Sequence, residues 1–272
     1  MNHPRSRLVR TEFASSAVGD TVEYRVLLPP DWVRSEPVPL IVHLHGAMSS
    51  SASLELARPF YDELWADGDI PRAIVACPST PTVGGFYING PRQAWETMIS
   101  EEFPQHVAVV YGHADVVAML GASMGGYGAL KAAFSTPDRF AAVAAISPAV
   151  FPGETPDDVP SRNIPSVLGE LHRAMSEATG DPAVYASNSV YGRARTHADE
   201  IRDASLPLLV DCGALDEFLL HEGAEYLHRV LDELDIAHEY RLVTGAGHLG
   251  PAADERTRDA IRFIGSALDE RE

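Results

Sequence analysis

The sequence predicts an α/β fold: one domain around a mostly parallel, eight-stranded sheet with helices on both faces. Two observations carry that reading. Short apolar runs rich in β-branched residues alternate with segments whose apolar residues recur at helical spacing, the rhythm of strand–helix–strand units. Several of the runs, among them PLIVHLHG at 39–46 and FAAVAAISPAV at 140–150, lack polar alternation, as strands covered on both faces require. A chain of 272 residues with 45% hydrophobic and 22% charged residues is long enough to bury a large core and is not the composition of a disordered segment.

Residues 7–15 and 21–29 read as an antiparallel pair of strands, the second ended by Pro29-Pro30, since proline cannot continue a ladder. The strand at 39–46 stops at glycine, and a helix is expected over 51–67. AIVACPS at 73–79 is the next strand, and 95–111 is helical. VVAMLGAS at 116–123 is a strand that runs into a helix at 127–135, closed by Pro137. After the strand at 140–150 come a strand at 206–216, a helix at 218–235, a final strand with its loop at 238–248 and a last helix at 252–269. Residues 151–205 break the rhythm, with several Pro, Gly and Asp and no strand pattern. Insertions this long in compact domains are usually functional, so this one is expected to form a cap over the site; the alternative is a surface excursion without a role in substrate choice.

Asp and Glu number 39 against 21 Lys and Arg, a net charge of −18. Such a surface repels phosphate backbones and anionic membranes, which argues against nucleic-acid and membrane partners. The N-terminal MNHPRSRLVRTEF has basic residues but no apolar run behind them, unlike a secretory signal. Cys77 and Cys212 each end an apolar run and read as buried free thiols, which fits a reducing, cytoplasmic location. The sequence has no H-E-x-x-H, no metal-ligand spacing of Cys and His and no P-loop. Gly84-Gly85 lacks the third glycine and the helix of a dinucleotide fingerprint, so no cofactor or metal is expected.

The chemistry-bearing motif is Gly121-Ala122-Ser123-Met124-Gly125-Gly126, a G-x-S-x-G between an apolar strand and a helical pattern. A sharp strand-to-helix turn strains the serine at the strand tip, and small flanking residues let neighbouring backbones approach. The helix N-terminus then offers free N–H groups to a developing oxyanion. A glycine-rich structural turn would have the same letters without the chemistry. With its strand and helix, Ser123 is the expected nucleophile of an α/β-hydrolase.

A serine hydroxyl needs a base, and in this architecture the chain order is Ser, acid, His. His248, in the loop Gly245-Ala246-Gly247-His248 after the last strand, is the expected base. His238 starts that strand and would lie at the opposite end, while His221 and His228 fall on the preceding helix. Asp216 follows the strand before and is the expected acid, with Glu217 second and a helix cap as the structural alternative. The oxyanion donors are expected to be the backbone N–H groups of Met124, next to the nucleophile, and Ala47, in the loop after the third strand.

These residues resemble the esterase D / S-formylglutathione hydrolase family, which includes feruloyl esterases and mycolyltransferases of the antigen 85 type. The likeness rests on Gly84-Gly85-Phe86-Tyr87-Ile88-Asn89, on Trp95 with Glu101-Glu102-Phe103-Pro104, on Gly121 to Leu130, on Gly213 to Leu219 and on Gly247-His248. The resemblance implies an α/β-hydrolase that hydrolyses or transfers acyl groups without metal or organic cofactor, with a small-molecule ester or thioester as partner; dimers are common in the family. His45-Gly46-Ala47-Met48 departs from the Ser-Gly-Leu-Thr-Cys run usual in the thioesterases, which favours a carboxylesterase. A thioesterase or acyltransferase with the same triad comes second, and an inactive hydrolase-fold binding module third. His45, Phe86, Tyr87 and Tyr127 are the residues expected to contact substrate.

Overall fold

The computed structural model describes residues 5–83, 85–112, 115–176 and 181–270; Gly84, which opens the Gly84–Asn89 block, lies outside the described residues. Eight strands form one sheet among these residues: β1 (Arg7–Ser15), β2 (Asp20–Leu28), β3 (Leu40–Leu44), β4 (Ile74–Pro78), β5 (Val117–Ala122), β6 (Val143–Ile146), β7 (Leu208–Gly213) and β8 (Glu239–Val243). Their order is β1-β2-β4-β3-β5-β6-β7-β8. β1, β2 and β4 pair antiparallel, and every later pairing is parallel. The antiparallel start and the parallel remainder agree with the sequence pattern.

The unalternated apolar strands are buried on both faces, as expected. Successive side chains of a strand point to opposite sides, so Leu40, Val42 and Leu44 enter one core while Ile41 enters the other. The smaller core packs α1 (Ser53–Asp67) and the last helix (Pro251–Asp269) on one face, through Leu54, Tyr61, Leu64, Ile261 and Ile264. The larger core holds the remaining helices. These are α2 (Trp95–Thr97) and α3 (Phe103–Tyr111), joined by a π-helical turn at Met98–Glu102, then α4 (Met124–Ser135). α5 (Val167–Ser176), α6 (Pro182–Asn188), α7 (Val190–Thr196), α8 (Ala198–Ala204) and α9 (Leu220–Glu233) follow, and the last helix is α10. Cys77 and Cys212 are both buried and free.

Three boundaries differ from the sequence pattern. α4 begins at Met124, directly after Ser123, rather than at 127; the two glycines at 125 and 126 hide its apolar spacing. β6 ends at Ile146 because Ser147 turns left-handed, φ 41°. The helix at 95–111 contains the π-helical turn just before Pro104, whose missing N–H weakens the regular ladder. Among the described residues, the 151–205 stretch forms two 3₁₀ turns and α5 to α8 and no strand.

Candidate active site

Ser123 sits at the tip of β5, at φ 56° and ψ −118°, a backbone region that side-chain-bearing residues rarely enter. Its N–H is held by the Ile146 carbonyl at 2.9 Å. The turn is possible because its flanks lack side chains: a Cβ on Gly121 would lie 2.3 Å from the Gly125 carbonyl, and one on Gly125 would lie 2.1 Å from the Leu44 oxygen. The glycines therefore let α4 press against β3 and β5, and its N-terminus points where the serine emerges.

His248 is carried by the loop after β8. Its Nδ1–H donates to Asp216 Oδ2 at 2.7 Å. This fixes Nε2 as the lone-pair nitrogen. Phe218 stands edge-on to the imidazole, ring centroids 4.9 Å apart. Asp216 is 2% exposed and uses its two oxygens separately. Oδ2 takes the imidazole, and Oδ1 accepts the N–H groups of Phe218 and Leu220 at 2.9 and 3.4 Å, capping α9. Burial pushes the Asp216 carboxyl up, but the His248 partner and the two backbone donors outweigh it, and the group lies below its ordinary value. The cap and the histidine partner, posed as alternatives by the sequence, coexist on one side chain.

Glu217, the second choice for the acid, is not bonded to the imidazole. Its Oε2 accepts the backbone N–H of His248 at 2.7 Å. The same loop is tied from below by Arg256 of α10, 3% exposed. Arg256 donates from Nη1 to the Gly247 carbonyl at 3.1 Å, from Nη2 to Ser147 Oγ at 2.8 Å, and from Nε to Asp211 of β7. Sequence reasoning missed this residue. A signal was present: Arg256 shares the helical stripe of Ala260 and Ile264, both buried, and a charge on a buried stripe needs a partner.

A cavity of about 360 Å³ opens over the tips of the central strands, with Ser123 and His248 both in its wall. Gly46, Ala47 and Met48 close one side, and Ile146, Ser147, Phe218, Leu220 and Leu249 line the rest. Val167 and Leu168, from the first turn of α5, bring the 151–205 stretch into the wall. Among the described residues, the lining contains no Lys or Arg. Ala47 lies at the cavity, and among the described residues no acceptor takes its N–H. Met124 is the first residue of α4, where helical N–H groups have no partner in their own helix.

None of the four residues expected to contact substrate lines this cavity. His45 is 1% exposed; its Nδ1–H donates to the Gly46 carbonyl and its Nε2 accepts the Thr80 N–H at 2.9 Å, with burial pushing the imidazole below its ordinary value. It braces two loops. Phe86 and Tyr87 take left-handed backbone conformations, φ 46° and 54°, and turn into the core, where the Tyr87 hydroxyl donates to the His45 carbonyl. Tyr127 points along α4 toward the insertion and donates to the Asn188 carbonyl at 2.7 Å.

A nucleophile-elbow turn on a parallel sheet, followed by an acid loop and a histidine loop, defines the α/β-hydrolase class of fold. The chain belongs to the Esterase family, whose model matches residues 15–248, and is a serine hydrolase acting on ester bonds. The S-formylglutathione hydrolase of Paracoccus denitrificans (strain Pd 1222) is 25% identical over 272 residues, covering 93% of this chain and 91% of the relative. Among solved structures, a ferulic acid esterase superposes with a TM-score of 0.78 at 21% identity, covering 97% of this chain and 99% of the other. An S-formylglutathione hydrolase from Agrobacterium tumefaciens does so at 0.75 and 20% identity, covering 97% and 96%. Among the described residues, no helix is long and apolar enough to cross a membrane.

Proposed function

We propose that the chain is a carboxylesterase that hydrolyses a small, uncharged ester through an acyl-enzyme on Ser123, with His248 as base and Asp216 as its partner. The observation that carries this reading is one cavity wall containing both Ser123 and His248, with the imidazole anchored on a buried carboxylate behind it. His248 Nε2 takes the hydroxyl proton as Ser123 Oγ attacks the acyl carbon. The backbone N–H groups of Ala47 and Met124 stabilise the tetrahedral oxyanion; losing one such donor typically costs on the order of 10²–10³ in rate. The imidazolium, steadied by Asp216, passes the proton to the leaving alcohol. Water then repeats the sequence on the acyl-enzyme, and the carboxylic acid leaves.

The substrate class follows from the wall. With Met48, Ile146, Val167, Leu168, Phe218 and Leu249 around the serine and no cationic side chain, the cavity suits an apolar acyl or aryl group. A glutathione thioester, with its carboxylates, finds no counter-charge there. The 151–205 stretch serves as the cap through Val167 and Leu168. The second reading, a thioesterase, is favoured by the similarity to the Paracoccus enzyme.

A panel of p-nitrophenyl esters, aryl esters and S-acyl glutathiones separates the readings, run beside labelling with a fluorophosphonate probe. The expected outcome is covalent labelling of Ser123, turnover highest on neutral esters, and loss of both in Ser123→Ala. Turnover that survives Ser123→Ala removes this serine from the mechanism. A preference for S-acyl glutathiones selects the thioesterase, and folded protein that neither labels nor turns over is a binding module.

A further inference from the structure

Two histidines that ester chemistry leaves unused meet at the other end of β8. His238 lies just before this strand, whereas His248 lies beyond its far end; five residues of strand separate the ends by roughly 17 Å at about 3.3 Å per residue. His228 Nδ1 and His238 Nε2 are 2.7 Å apart. Asp232, one turn along α9 from His228, places Oδ2 3.5 Å from His228 Nε2. One nitrogen from each imidazole and one Asp232 oxygen lie within 4.8 Å of one another.

The surroundings orient these rings. His238 Nδ1–H donates to the Ile236 carbonyl at 2.8 Å, which leaves Nε2 with its lone pair directed at His228. A ligating imidazole is commonly fixed in this way, its second nitrogen tied to a carbonyl. His228 lies flat on Tyr240, ring centroids 4.5 Å apart and planes 15° from parallel. Two ring nitrogens at 2.7 Å form an N–H···N hydrogen bond, with His228 Nδ1–H donating to His238 Nε2, and a metal ion bound between the rings would take the place of that proton. Asp232 is largely exposed, and its one ion-pair partner among the described residues is His228. The nearby Arg229 is engaged by Glu225.

We propose that His228, His238 and Asp232 form a site for a divalent transition metal of the zinc class. Two imidazoles and one carboxylate suit Zn²⁺, Co²⁺ or Ni²⁺ rather than Mg²⁺ or Ca²⁺, and a water completes the tetrahedron. Metal–nitrogen bonds of about 2.0–2.1 Å need ligand nitrogens roughly 3.3 Å apart, so the imidazoles separate by about 0.6 Å from the hydrogen-bonded arrangement as the His228 Nδ1 proton is released, and the exposed Asp232 side chain turns from the Nε2 edge of His228 to its Nδ1 edge to complete the set. The bound ion would pin α9 to the segment entering β8, the strand at one edge of the sheet. The net charge of −18 favours cation capture in general. This site is independent of the hydrolase chemistry, so either proposal can fail alone.

The test is calorimetric titration of the chelator-treated protein with Zn²⁺ and optical titration with Co²⁺. The expected result is one equivalent bound more tightly than about 10 µM, with a tetrahedral Co²⁺ spectrum and a higher melting temperature. His228→Ala and His238→Ala each weaken binding at least tenfold, while ester turnover stays at the wild-type level and reports that the variants are folded. His238→Asn, a milder change, weakens binding as well. Absence of one-to-one binding in the wild type, or unchanged affinity in either alanine variant, overturns the proposal.

Discussion

The Asp216 carboxylate has two tasks that separate under substitution. One oxygen caps α9 and the other meets His248. Asp216→Asn keeps an oxygen for the cap but no longer holds the imidazole as an anion does. Turnover is expected to fall roughly 10³–10⁴-fold, with the fold intact by circular dichroism; a loss under tenfold would remove Asp216 from the mechanism. The carboxyl is depressed in the folded chain, so its contribution is complete above the unfolded value of about 3.9 and disappears as pH falls through the lower, folded value. Urea midpoints of the wild type should therefore drop more steeply below about pH 4 than those of Asp216→Asn. At this scale the sequence was most informative about Ser123, Asp216 and His248, because loop position after successive strands is readable from pattern alone. Side-chain direction is not. Phe86 and Tyr87 look like pocket aromatics until two left-handed residues in a row turn them inward, and no spacing rule announces that.

Between elements, the decisive junction is the one Arg256 makes. A buried guanidinium on α10 holds β7 through Asp211, the end of β6 through Ser147 and the histidine loop through Gly247. Arg256→Met leaves the Asp211 carboxylate, 3% exposed, without its cation, which is expected to cost about 3–5 kcal/mol. Adding Asp211→Asn should recover part of that loss, and urea unfolding of the single and double variants checks both statements. A full recovery of stability with turnover still depressed would isolate the arginine's hold on the loop. The order and type of the elements were legible from period and punctuation, including the absence of strands among the described residues of the 151–205 stretch. Their ends were less so: glycines conceal the start of α4, and a left-handed serine ends β6 inside an apolar run. The cavity wall was illegible, since Met48, Val167, Phe218 and Leu249 come from four separate segments and share no periodicity.

For the molecule as a whole, charge sets a filter in front of the chemistry. A net −18 repels anions approaching from solution, and among the described residues the cavity wall has no Lys or Arg to reverse that locally. The kcat/KM for an anionic S-acyl glutathione should accordingly rise as salt increases from about 0.01 to about 0.3 M, while that for p-nitrophenyl acetate changes less than about twofold. Equal salt responses of the two substrates would show that the overall field does not reach the site.

The contorted backbone at residue 123 has a further consequence for how this sequence can evolve. Glycine reaches φ 56° and ψ −118° without penalty, whereas a residue with a Cβ gives up on the order of 1–3 kcal/mol. Mutational drift toward greater robustness therefore leads away from the hydroxyl. With Ser123 as the proposed nucleophile, selection for heat resistance alone would enrich descendants that outlast their ancestor and hydrolyse nothing, so the serine persists only where turnover itself is selected.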